Sequence, residues 1–295
     1  MKKKPLVFMF FLFFSAESFI FSKINIGILR GMEAVPFAFM YADNSENSSS
    51  QNYSFSFFSN PFELFYKMKQ GFVDATIVSA ESAEKLAEAA NGQVRILAVV
   101  SDIDFKIVSR RKGNVSFSDL IGNKIYVAGE GFAYNLLLNL LEKNSIPVEE
   151  GSAGVEIVSR SSQAELVSEF VQNKAEYVLV SEPAVSDIFN RTKNARVAMD
   201  LQEQCGMFFG YGTMIPGSVL VVRSDLAENS SKSVQHFLSD LEYSVQRVSK
   251  MPRKAAEIAA ENGFGVNKRI CAQAITGTKY DFYLVKGDFN LIVNQ

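Results

Sequence analysis

The sequence predicts an α/β protein of two lobes, each a mostly parallel sheet flanked by helices, joined by two crossing strands. Three observations predict it. Strand-like and helix-like runs alternate from Ile24 to Val100; the same alternation restarts at Phe117; and two extended segments suited to passing between lobes, Asp104–Ser109 and Ser218–Arg223, separate and follow the two units. Two crossings make the first lobe discontinuous, so we expect residues 23–107 and 218–295 in lobe 1 and residues 108–217 in lobe 2. A chain of 295 residues with 47% hydrophobic and 21% charged residues is long enough to bury two modest cores.

In lobe 1, Ile24–Leu29 reads as a strand, Met32–Tyr41 as a helix and Tyr53–Phe57 as a second strand after a Ser/Asn-rich loop. Asn60 is placed to cap a helix that has Pro61 at its first position and ends at Gly71. Asp74–Val78 is a strand, Glu81–Ala90 a helix and Val94–Val100 a strand. Lobe 2 repeats the scheme: a short helical turn at Ser118, a strand over Lys124–Ala128, a Gly-Glu-Gly loop and an apolar helix over Ala133–Asn144. The strand Val155–Val158, the helix Gln163–Gln172, the strand Glu176–Val180 and a helix opened by Pro183 follow. Helices over Ser230–Lys250, Arg253–Asn262 and Asn267–Ile275 then complete lobe 1.

The first residues read as an export signal. Lys2, Lys3 and Lys4 form a basic start, Leu6–Phe14 an apolar run of about nine residues and Ser15-Ala16-Glu17-Ser18 a small, polar stretch, with removal expected near residues 18–22. The run is too short to span a bilayer, and no cysteine follows it to carry a lipid, so a soluble exported protein is expected. The net charge of −2 excludes a general nucleic-acid binder, which needs a basic face to neutralise phosphates. A single histidine, His236, leaves no material for histidine-based zinc sites or histidine-dependent nucleophiles. No catalytic, metal or cofactor site is therefore expected. Cys205 and Cys271 would share an oxidising compartment, where spacing alone does not settle whether they pair.

In open parallel sheets, ligands bind beyond the carboxyl ends of the strands, where loops and helix N-termini converge. The loops at those positions supply the candidate binding residues: Arg30, Gly31 and Met32; Ser59 and Asn60; Ser79 and Glu81; Gly129, Glu130, Gly131, Phe132 and Tyr134; and Glu182. Tyr211, in the Gly/Pro-rich run before the return crossing, joins them as an aromatic able to stack on a planar ligand. Gly129 and Gly131 let backbone approach a ligand at a helix N-terminus, which suits an anion, and Arg30 suits a carboxylate, sulfonate or phosphate. Neither a dinucleotide nor a phosphate-loop fingerprint is present at this turn. Glu33, Glu81, Glu130 and Glu182 also fall in post-strand loops, where glutamate serves helix N-termini as well; together they leave room for a ligand carrying N–H donors or a positive centre.

These residues resemble the type II periplasmic substrate-binding proteins of ABC importers, in the branch that holds nitrate, sulfonate and taurine binders and the binders of thiamine-pyrimidine precursors. The similarity lies in Ile24–Gly31 as the opening strand and loop, in "LFYKMKQGFVDATI" from Leu64 to Ile77, in "FSDLIGNKIYVA" from Phe117 to Ala128, in "YNLLLNLLEKNSI" from Tyr134 to Ile146, and in Ser181-Glu182-Pro183 as the Glu-Pro corner. The chain departs from the pattern at Ser181, where the family carries an aromatic residue. The resemblance implies a monomeric periplasmic receptor that closes two lobes on a small polar organic ligand, of sulfonate or nitrogen-bearing pyrimidine type, and delivers it to a membrane permease. Two other readings stay open: an enzyme of cofactor biosynthesis on the same fold, with Glu130 or Glu182 as general base, and a sensory solute-binding module.

Overall fold

A computed structural model of the chain describes residues 23–46, 52–113, 115–149, 151, 153–209, 215–229 and 231–285. The expected export signal and Tyr211 lie outside the described residues. Among the described residues eleven strands build two sheets: β1 (Ile24–Leu29), β2 (Tyr53–Phe58), β3 (Ala75–Ser79), β4 (Val94–Asp102), β5 (Lys106–Ser109), β6 (Lys124–Ala128), β7 (Glu156–Arg160), β8 (Tyr177–Val180), β9 (Arg196–Asp200), β10 (Pro216–Arg223) and β11 (Tyr280–Leu284).

The first sheet has the order β11-β4-β10-β3-β1-β2 and the second β7-β6-β8-β5-β9. Apart from the added edge strand β11, the two orders are the same arrangement. In each, three parallel strands are followed by one reversed strand and then a fourth strand. The reversed strands, β10 and β5, pair antiparallel with both neighbours. Both belong to the crossings: the chain leaves the first sheet after Asp102 and re-enters it at Pro216. The outgoing and returning segments are hydrogen-bonded to each other, Ile103 N donating to Ile215 O at 2.9 Å.

Side-chain alternation along the crossing strands explains why each sheet is covered on both faces. On β10, Leu220 and Val222 face a core with Ile26, Phe37, Phe237 and Phe264, while Val219 and Val221 face a second core with Leu64, Met68 and Leu86. On β5, Ile107 enters the core of Leu136, Leu140 and Tyr177, and Val108 that of Leu166, Phe170 and Ile188. A strand covered on both faces reads as a continuous apolar run, which is how Ser218–Arg223 stands out in the sequence.

Three local features differ from expectation. The predicted helix Met32–Tyr41 is a 3-10 turn over Met32–Phe37 followed by an α-helix over Ala38–Glu46, because Pro36 in its first half has no N–H to donate. The edge strands β9 and β11 carry no local signal: their residues are mostly half-buried or exposed, as edge positions allow. The helix Leu201–Phe209 likewise was not expected. Cys205 and Cys271 are both free and buried, and they belong to the cores of different sheets. Burial pushes each thiol up to about 12, so both are protonated packing residues rather than nucleophiles.

Candidate functional site

A cavity of about 120 Å³ opens where the crossings pass between the sheets. From the first sheet it is lined by Met32 and Glu33 beyond β1, by Ser79 at the end of β3 with Ala80 and Glu81 beyond it, and by Ser101 and Asp102 at the end of β4. The second sheet contributes Phe132, beyond β6, and Ser181 and Glu182 beyond β8. Ile103, Asp104 and Phe105 of the outgoing crossing, Pro216–Ser218 of the returning one, and Thr278 and Tyr280 complete the wall. The strand ends of both sheets therefore aim at one space, as the loop positions in the sequence anticipate.

Local structure fixes each wall. Ser79 caps the helix Ala80–Ala90 by accepting from Ser82 N at 3.2 Å, which holds Glu81 in the first helical turn. Glu81 reaches across the cleft, where its carboxylate accepts from Phe132 N at 3.4 Å, at the start of the helix Phe132–Lys143. Gly131 permits the approach: a Cβ there would lie 2.9 Å from Glu81 Oε1. The helix N-terminus that offers itself to an anion thus already faces a carboxylate of the protein. Glu182 accepts from Ser186 N at 3.0 Å in the helix that follows it, and Glu182 N donates to Asp104 Oδ2 at 3.2 Å.

Asp104 also accepts from Thr278 Oγ1 at 2.9 Å. Burial pushes its carboxyl up to about 6, against the opposing influence of Lys106 and of the two hydrogen bonds, while the nearby Glu182 adds to the rise. Lys106 binds the backbone oxygens of Asp104 and Gly277 at 3.1 and 3.2 Å and lies 3.9 Å from Asp200. Asp102 is 4% exposed; its Oδ2 accepts from Lys279 at 2.8 Å, and its Oδ1 is buried with no hydrogen-bond partner. Gly217 brings the returning strand against this residue so closely that a Cβ would lie 2.2 Å from Asp102 O. Burial first, and then the nearby Asp104, hold the Tyr280 phenol well above its ordinary value.

Five of the expected residues line the cavity: Met32, Ser79, Glu81, Phe132 and Glu182. Gly31 and Gly131 sit beside lining residues, Gly31 as the residue before the 3-10 turn and Gly131 against Glu81. The others are placed elsewhere. Arg30 is exposed, its Nη1 donating to Gly263 O and its guanidinium 5.4 Å from the Phe57 ring centroid, so it fastens the C-terminal helices instead of facing the cavity. Ser59 is exposed, and Asn60 caps the helix Pro61–Lys69 by accepting from Phe62 N at 2.8 Å. Gly129 N donates to Arg160 O, Glu130 is exposed and Tyr134 packs on the second lobe's core.

The sequence reasoning missed Ser101, Asp102, Asp104, Thr278 and Tyr280. A signal for the first three existed: crossing segments must run through an interlobe cleft, so the acids that flank Ile103 were bound to reach it. Among the described residues no helix is long and apolar enough to cross a membrane, and no group of three His, Cys, Asp or Glu residues could hold a metal ion.

No family model matches the chain, and no curated protein matches it. Solved structures do. The periplasmic aliphatic sulphonate binding protein SsuA from Escherichia coli aligns with a TM-score of 0.67 at 15% identity over 90% of this chain and 82% of that one. A protein described as an ABC transporter from Parabacteroides distasonis aligns with a TM-score of 0.66 at 14% identity over 89% and 86%. The periplasmic nitrate-binding protein NrtA from Synechocystis aligns with a TM-score of 0.55 at 12% identity over 93% and 72%. The chain has the two-lobed fold of these periplasmic binding proteins, with two helix-flanked sheets.

Proposed function

We propose that this protein is the exported solute-binding component of an ABC importer, a non-catalytic, monomeric periplasmic receptor that captures a small polar organic molecule between its lobes and hands it to a membrane permease. The observation that carries this reading is the cavity itself: both sheets and both crossings line it, so a molecule held there touches every part whose relative position changes when the lobes move. Closure on a ligand then replaces water with side chains from both walls. The solved structures of the same fold whose descriptions name sulphonate and nitrate binding support a receptor, and an acidic lining supports the nitrogen-bearing ligand type over the sulfonate.

A thermal-shift screen of the purified protein against metabolite panels tests the proposal, because a solute that binds only the folded state raises the melting temperature. At one hundred times its dissociation constant such a solute adds about 2.7 kcal/mol of stability. The expected result is a saturable shift with a few related solutes and no turnover of them. Turnover of a bound solute would instead favour an enzyme on the same scaffold.

A further inference from the structure

We infer that the cavity selects a small organic cation, an ammonium or amidinium compound, and that the unpartnered Oδ1 of Asp102 is the acceptor that receives its N–H group. This rests on the cavity's being the ligand site, and it names the chemistry of what enters.

Five carboxylates, Glu33, Glu81, Asp102, Asp104 and Glu182, line the cavity, and no lysine, arginine or histidine does. Two of them are paired with lysines from outside it, Glu81 with Lys85 at 2.7 Å and Asp102 with Lys279 at 2.8 Å. Among the described residues Glu33, Asp104 and Glu182 have no cation within ion-pair distance. The nearest relief is Lys106, whose ammonium is already held by two backbone oxygens. A cation entering the cavity meets negative charge that no cationic side chain in the lining offsets.

Asp102 adds an observation independent of that count. Its Oδ1 is buried and makes no hydrogen bond, although the residue is 4% exposed and lines the cavity. With Oδ2 already taken by Lys279, Oδ1 is the one oxygen of this carboxylate that has lost water without gaining a donor, and a ligand N–H that reaches it supplies one. Anions meet the opposite condition. The helix N-terminus at Phe132, their natural seat, faces the Glu81 carboxylate, so an anion would have to displace it.

The same geometry separates organic cations from metal ions. The lining carboxylates do not converge as a group of three able to hold a metal. Phe105 and Phe132, with ring centroids 6.1 Å apart, stand in the wall with Tyr280 and present aromatic surface to a cation with an organic body.

The test is calorimetric titration of the mature protein with putrescine, agmatine, choline and guanidinium, beside taurine, nitrate and a neutral pyrimidine. We expect at least one cation to bind, the anions not to bind, and Asp102→Asn to weaken the cation at least tenfold while melting no lower than wild type. Glu33→Gln, on the 3-10 turn and away from the sheets, is expected to weaken it several-fold, so the inference does not depend on one variant's folding. Binding of taurine, nitrate or the pyrimidine in preference to every cation, with the cavity variants altering it, overturns this inference and leaves the receptor reading standing. Binding of none of the four cations overturns this inference, and so does binding of a cation that is unchanged in both variants; the receptor reading is decided separately by the screen against metabolite panels.

Discussion

Asp104→Asn is expected to stabilise the unliganded protein at pH 7.5 by about 1 to 3 kcal/mol. Asp104 sits in the outgoing crossing, where burial pushes its carboxyl up to about 6 from an ordinary 3.8. That difference corresponds to at most about 3 kcal/mol, since each pKa unit is worth about 1.4 kcal/mol, and the solvent contact that the half-buried residue keeps lowers the figure. The sign follows from proton binding. The folded protein holds this proton more tightly than the unfolded chain does, so the group's contribution to stability is fully present below about pH 4. It is lost as the pH rises to about 6 and stays lost above that. Asparagine keeps an oxygen for Thr278 Oγ1 and Glu182 N and carries no charge to desolvate. Denaturant unfolding at pH 7.5 and at pH 4.5 reads the result: the variant's advantage should be present at the higher pH and shrink at the lower one. An asparagine variant no more stable than wild type at pH 7.5 would show that the buried charge is compensated in a way the geometry does not reveal.

Phe264→Ala is expected to cost about 3 to 5 kcal/mol, the range for truncating a buried phenylalanine. The side chain is 0% exposed and stands edge-on to Tyr41 and Phe57, with ring centroids 5.8 and 5.6 Å away, contacts that add to simple burial. Its backbone also ties distant parts of the chain together, Phe264 O accepting from Gly31 N at 2.9 Å beside the Arg30 bond to Gly263 O. Losing the ring therefore loosens the joint between the C-terminal helices and the loop that presents Met32 and Glu33 to the cavity. For a protein of this size the melting temperature should fall by roughly 10 °C. A fall of under about 2 °C would mean that the aromatic cluster is dispensable.

Where a segment's pattern was complete in itself, the sequence was enough. β1 spans Ile24–Leu29 as its alternation indicated, and Asn60 with Pro61 opened a helix where capping chemistry placed it. The return crossing was legible from Ser218–Arg223 because a strand buried on both faces cannot hide its apolar run. Arg30 shows where such reading stops. A guanidinium beyond a strand end looks like an anion clamp, but its partner is a carbonyl 233 residues further along, and nothing local announces that bond. Asp102 and Asp104 stayed hidden for another reason. They lie where the chain crosses between sheets and not in a loop between strand and helix, yet in this fold the crossings form part of the cavity wall.

Hydrogen exchange with and without the solute that raises the melting temperature most tests the central claim directly. Slowed exchange is expected on both walls at once: at residues 79–81, 101–104 and 217–218, at 132 and 181–182 of the second lobe, and at 278 and 280. Protection confined to one lobe, or to a surface away from the crossings, would contradict capture between the lobes.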